Sequence, residues 1–116
     1  MNQTLENFLN ALEEMRKLST EIPAVRISIL VMIATSKEPV TYADIEKKLK
    51  LSKSSASRHI QALSDTDRHG KPGLGFIKTA SDPNDWRRNI VVLSRTGEAM
   101  VRRFLIILND TGGKIK

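Results

Sequence analysis

The side chains with chemical potential concentrate between residues 53 and 95. In Lys53-Ser54-Ser55-Ala56-Ser57-Arg58-His59-Ile60-Gln61-Ala62-Leu63, small apolar residues alternate with hydroxyls, two cations and an amide. At helical spacing Ala56, Ile60 and Leu63 share one face. Lys53, Ser54, Ser55, Ser57, Arg58 and Gln61 occupy the other. Short hydroxyls on that face leave room to enter a major groove. There an Arg can pair with guanine O6 and N7, and a Gln with adenine N6 and N7. Ser and Lys near the helix N-terminus suit phosphate oxygens, aided by the open N–H groups of the first turn. No acidic residue occurs between Lys53 and Ser64, where an ordinary solvated helix face usually carries one.

Catalytic chemistry has little to build on. The two histidines are His59 and His69. His59 sits on the same helix and is read as packing or grazing a phosphate. Asp65, Asp67 and His69 form a D-x-D-x-H string, but a fourth ligand and a supporting shell are missing, so no metal site is expected. Gly70-Lys71-Pro72-Gly73-Leu74-Gly75 lacks the order of a phosphate-binding loop. No nucleophile has a paired base, and Asp82 and Asp85 sit on a turn. The expectation is a protein without catalytic residues or cofactor, and not an enzyme. The absence of cysteine excludes disulfides, thiolate metal sites and thiol sensing.

Charge points the same way. The 116 residues carry a formal net charge of +6. Residues 53–95 hold eight Lys or Arg and four Asp, whereas residues 1–36 are slightly acidic. A basic middle segment favours a polyanionic partner. One Tyr, one Trp and three Phe are few for a single-strand stacking platform. No apolar run approaches the ~20 residues of a membrane helix. The start of the chain carries Glu6, Glu13 and Glu14 and no basic region, unlike a signal peptide. A cytoplasmic, nucleoid-associated protein with no membrane partner is expected.

These groups need elements to position them. Length favours one domain over residues 1–116. Thr4 can cap a first helix running to about Ser19, with Leu5, Phe8, Leu9, Leu12 and Met15 as its stripe. Pro23 suits the first turn of a second helix, Ala24–Thr35, apolar around most of its circumference and so expected to be buried. Val40 starts a short extended piece. Thr41 and Asp44 form a capping-box start for a third helix, Tyr42–Lys50, and Ser52 caps the fourth, Lys53 to about Ser64. Gly75–Ala80 and Asn89–Leu93 read as strands joined through Ser81-Asp82-Pro83-Asn84-Asp85. Ser94 caps a last helix, about Arg95–Asn109, which Gly112-Gly113 ends. The class is mainly α with a small β-hairpin: two short helices, a tight turn and a hairpin make a winged helix-turn-helix.

Residues 43–63, from Ala43-Asp44-Ile45 to Gln61-Ala62-Leu63, resemble the helix-turn-helix of MarR-type regulators. Asp82-Pro83-Asn84-Asp85-Trp86-Arg87-Arg88, followed by Val92-Leu93-Ser94-Arg95-Thr96-Gly97, resembles that family's wing and the start of its next helix. The resemblance spans roughly residues 40–100. It implies a dimeric regulator whose wing-tip Arg87 reaches a minor groove, oriented by Asp85. Lys78 and Arg88 are then expected on phosphates. The chain departs from the family in being short and in having a single helix after the wing. Its 65–74 segment is longer than the family's link, and is read as a surface loop.

A dimer would place two reading helices on half-sites about one turn, ~34 Å, apart. Leu5, Phe8, Leu9 and Leu12 in the first helix, and Met100, Phe104, Ile107 and Leu108 in the last, are the expected interface. The combined expectation is a homodimeric regulator of double-stranded DNA, acting simply by repression, with any small-molecule effector unknown. A protein-interaction module on the same scaffold, or an architectural DNA binder without sequence preference, are the competing readings. Arg58 discriminates among them, because only direct readout ties it to one base pair.

Overall fold

The computed structural model describes residues 2–65, 70 and 72–111. Five helices and a three-stranded antiparallel sheet follow one another as α1 (Gln3–Arg16), α2 (Ala24–Thr35), β1 (Val40–Thr41), α3 (Tyr42–Leu49), α4 (Lys53–Leu63), β2 (Ile77–Asp82), β3 (Asp85–Leu93) and α5 (Arg95–Leu108). The strand order is β1-β3-β2. This is the expected winged helix-turn-helix order.

The caps explain most of the boundaries. Thr41 accepts the Asp44 N–H while Asp44 accepts the Thr41 N–H, a complete capping box that starts α3. Such a cap contributes about 1 kcal/mol. Ser52 caps α4 through the Ser55 N–H, and Ser94 caps α5 through the Gly97 N–H. Lys50 takes the left-handed conformation, φ 56°, between α3 and α4, and Leu51 N–H donates back to Glu46 O at 2.9 Å. The tight turn of the helix-turn-helix is made there.

Four expected boundaries are corrected. Asn2, not Thr4, caps α1 by accepting the Leu5 N–H at 2.9 Å, because an available cap two residues earlier lets the helix begin sooner. α1 ends at Arg16 rather than Ser19, and Arg16 Nε donates to Thr20 O across the turn that follows. Pro23 is the N-cap of α2 in extended conformation, not a residue of its first turn. The hairpin is longer than expected, with a two-residue turn at Pro83-Asn84 in place of five. Asp82 Oδ1 accepts the Asn84 N–H at 2.8 Å and closes that turn. The expected end at Gly112-Gly113 lies outside the described residues, as do Asp67, Arg68, His69 and Lys71 in the 65–74 segment.

One core joins every element. Met15, Ile29, Leu30, Val40, Ile45, Ala56, Ile60, Leu63, Phe76, Ile77 and Val91 are buried together, and Met100 and Phe104 of α5 pack partly against them. α2 is less enclosed than its composition implied: Ile29 and Leu30 are buried, but Val31 is exposed. α1 lies on α5 through Ala11 and Asn7, both buried. Asn7 Nδ2 donates to Leu108 O and Asp110 O, at 3.0 and 2.8 Å, and so satisfies carbonyls at the end of α5. Glu14 on α1 reaches Arg103 on α5, whose hydrogen bond, followed by that of Lys17, holds the carboxyl below its ordinary range.

The start of α5 is fixed by a close approach. A Cβ on Gly97 would collide with the Phe76 carbonyl oxygen, so this first-turn residue must be glycine for α5 to rest on the strand entry. Ser94 N–H donates to Phe76 O, and Ser94 Oγ to Gly75 O, on the same edge.

Candidate nucleic-acid interface

α4 shows its polar face as the periodicity required. Ala56, Ile60 and Leu63 are buried, while Lys53, Ser54 and Arg58 are exposed and Ser55 and Ser57 half-buried. Gln61 is less available than its neighbours. It is half-buried, its Nε2 lies 3.4 Å from Ser57 Oγ, and its Oε1 is buried without a partner. Its use in base readout requires the amide to turn outward, which would also relieve the unpaired oxygen.

The wing brings its charged residues together through its register. Ile77 pairs with Leu93, and the alignment runs evenly to Ser81 opposite Asn89. Asp82 then pairs with Asp85, leaving Trp86, Arg87 and Arg88 as extra residues on β3. A bulge of this kind re-aims side chains at a sheet tip. Asp85 Oδ1 accepts both the Arg87 N–H at 3.1 Å and Arg87 Nε at 3.2 Å. The Arg87 side chain is otherwise 72% exposed. Arg88 Nε lies 3.7 Å from Asp82 Oδ2, so the buried Asp82 supports both the turn and a second wing arginine. Lys78 is exposed on β2. Tyr42 Oη and Thr79 Oγ1, 3.3 Å apart, tie the start of α3 to the wing.

Trp86 and Arg26 have no assigned role in the sequence, and His59 is read there only as packing or grazing a phosphate. Trp86, the only tryptophan, is 78% exposed at the wing tip. A large exposed aromatic beside two arginines was legible as a signal in the stretch from Asp85 to Arg88. Arg26 and His59 form a contact between two helices. Arg26 Nε, on α2, donates to His59 Nδ1 on α4 at 3.0 Å. Burial first, then the nearby Arg26 and Arg58, hold the His59 imidazole below its ordinary pKa. Burial and Arg58 likewise lower Arg26. Nothing in the sequence links positions 33 apart, so this contact needed the fold.

The residues expected at a dimer interface fall into two groups. Leu5, Phe8 and Leu9 are exposed, and Leu12 is half-buried, so α1 turns most of its apolar stripe to solvent. Met100, Phe104, Ile107 and Leu108 are half-buried, while Leu105 and Ile106 are the exposed apolar residues of α5. Between α1, α2 and α5 runs an apolar groove of about 250 Å³, lined by residues such as Met15, Leu30, Val31, Met100, Phe104 and Leu108. Among the described residues, no group of three or more His, Cys, Asp or Glu could hold a metal ion, and no helix is long and apolar enough to cross a membrane.

No protein-family model and no curated protein sequence matches the chain. Solved structures do. The MepR–DNA complex of S. aureus superposes with a TM-score of 0.66 at 19% identity, over 88% of this chain and 76% of that one. The transcriptional regulator Tm0710 of Thermotoga maritima gives 0.62 at 21% identity, over 92% and 74%. A point mutant of MarR from E. coli, complexed with operator DNA, gives 0.59 at 20% identity, over 78% and 58%. The chain has the winged-helix fold of MarR-type regulators, as its helix-turn-helix and wing residues implied.

Proposed function

We propose that this chain is a sequence-specific double-stranded DNA-binding regulator of the MarR type, without catalytic activity, that works as a homodimer and represses by occupying a promoter. The observation that carries the reading is the pairing of two basic, differently shaped elements on one scaffold. α4 offers Lys53, Ser54, Ser55, Ser57 and Arg58 with no acidic residue along its length. The wing offers Arg87, pre-oriented by Asp85. The first suits a major groove, and the second the narrow, electronegative minor groove beside it. Lys78 and Arg88 are assigned to phosphates, and Gln61 to a base edge after it rotates out. DNA complexes of MepR and MarR, which share the fold, support this reading.

Homodimerisation is supported by the apolar surface left open on α1 and α5. Leu5, Phe8, Leu9, Leu105 and Ile106 are all exposed, and Leu105 lines the groove between these helices and α2. Large apolar side chains left exposed on two helices that pack together favour association. The half-buried Leu12, Met100, Phe104, Ile107 and Leu108 would form the inner part of that interface. A nucleoid-associated protein in the cytoplasm follows from the proposed partner.

Selection from a randomised duplex pool near physiological salt tests the reading, because non-specific binding there is weak, ~10⁻⁴–10⁻⁶ M. Enrichment of an inverted repeat with half-sites about one turn apart is expected. Binding without enrichment would replace it with the architectural role. Retention of no duplex would replace it with a protein-interaction module. Sedimentation of Ile106→Glu against the wild type tests the dimer: the variant should be monomeric at concentrations where the wild type is paired.

A further inference from the structure

Arg26 is placed at a cost that nothing within the described residues offsets. It lies in the first turn of α2, at the positive pole of the helix dipole, where a cation is disfavoured. That turn contains no acidic residue, and its N-cap Pro23 supplies no side-chain hydrogen bond. Leu18, Ala62 and Leu74 crowd the same hollow and strip part of its water. Arg58 adds a second positive charge nearby. Among the described residues no carboxylate lies within ion-pairing distance of Arg26 or Arg58. Among the described residues, the one hydrogen-bond partner of the Arg26 guanidinium is a neutral nitrogen, His59 Nδ1, which takes the Nε proton and leaves the terminal nitrogens without a partner in that set.

An anion would offset all of these terms at once. It would meet the helix pole, the open guanidinium edge and the second arginine together. The site borders α4, the helix assigned to the major groove, on the flank carrying His59 rather than on the reading face itself. A helix seated in a groove has a phosphodiester backbone along its flank.

We propose that Arg26 is a DNA-backbone contact: His59 holds the Nε side of its guanidinium, and the open edge, next to Arg58, takes a phosphate oxygen of the duplex that α4 enters. The inference rests on the DNA-binding reading above. Arg26 would be sequence-neutral, fixing how deeply and at what angle α4 sits. His59 is its positioning residue, and must present an unprotonated Nδ1 to hold it.

The test is the salt dependence of binding to a fluorescein-labelled duplex, followed by anisotropy, for wild type, Arg26→Gln and Arg26→Lys. Each neutralised phosphate contributes about 0.9 to the slope of log K against log salt. Arg26→Gln should lose about that much, so across a fourfold rise in salt the wild type weakens about 3.5-fold more than the variant. Arg26→Lys should keep the slope, since it keeps the charge. Arg26→Met, which keeps the aliphatic stem, gives the same reading where Arg26→Gln does not fold. An unchanged slope in the neutral variants, with or without a lower melting temperature, would make Arg26 a scaffold residue and overturn the proposal. A wild-type protein that binds no duplex would overturn the DNA-binding reading itself, a separate outcome.

Discussion

Arg87 is anchored twice on one oxygen atom of Asp85, through its own backbone N–H and through its guanidinium Nε. The two residues straddle Trp86 on the bulged side of the wing, where the extra residues of β3 are displayed. The arrangement restricts an otherwise exposed arginine without burying it. Because the pair is exposed, it contributes little to stability, about 0.2–1 kcal/mol. Its value lies in reducing the rotamer freedom that Arg87 must give up on binding.

Asp85→Ala should therefore leave the melting temperature nearly unchanged and lower the preference for A·T-rich flanks over G·C-rich ones. Raw affinity is the wrong readout, since removing a negative charge near a polyanion also strengthens non-specific binding. The ratio of affinities for the two duplexes isolates orientation. Asp85→Ala combined with Arg87→Ala should discriminate no worse than Arg87→Ala alone. The fluorescence of Trp86, the sole tryptophan, should change when the wing meets the duplex and gives the binding curve.

Arg58→Ala should cost about 1–3 kcal/mol against the selected site and relax preference at one base pair. Repeating the duplex selection with the variant checks it. An unchanged consensus and affinity would remove Arg58 from direct readout.

Gly97→Ala should destabilise the fold by about 1–3 kcal/mol in denaturant titrations. Helix propensity alone argues for the opposite sign, since Ala exceeds Gly by about 1 kcal/mol in a helix. The collision of a Cβ with the Phe76 carbonyl decides the direction, because backbone cannot move aside as a flexible side chain can. A stabilised variant would show that α5 can lift from the strand entry at little cost.

The lowered pKa of His59 gives a pH dependence of defined sign. Burial and its two arginine neighbours disfavour the charged imidazole in the folded chain. Between the ordinary histidine value, about 6.5, and the lower folded value, the unfolded chain binds the extra proton. Stability is thus fully present above about 6.5 and falls as pH drops below it. His59→Gln, whose amide oxygen can still accept from Arg26, should show a shallower loss between pH 7 and 5 by thermal melts. Equal slopes in both proteins would place the acid sensitivity elsewhere.

Local chemistry was legible from the residues in order. The capping box at Thr41 and Asp44 and the caps at Ser52 and Ser94 are contacts between residues three apart. The separation of Ala56, Ile60 and Leu63 from Lys53 and Arg58 needs only the helical period. The turn at Pro83-Asn84 followed from residue types, but its length did not. Asp82 closes the turn by a bond to a residue two positions on, whereas the bulge at residues 86–88 is a mismatch between two strands.

What only the tertiary structure decided involves distance along the chain or competition for burial. The Arg26–His59 bond spans 33 residues, and Asn7 reaches the end of α5 across 101. On α1, an apolar stripe and a polar neighbour competed for the core, and burial went to Met15, Ala11 and Asn7 while Leu5, Phe8 and Leu9 stayed outside. Periodicity identifies which residues share a face. It does not say which face meets a neighbour, because that depends on the carbonyls and side chains the neighbour presents. At α1 these were the carbonyls at the end of α5, which the Asn7 amide satisfies and an apolar side chain could not.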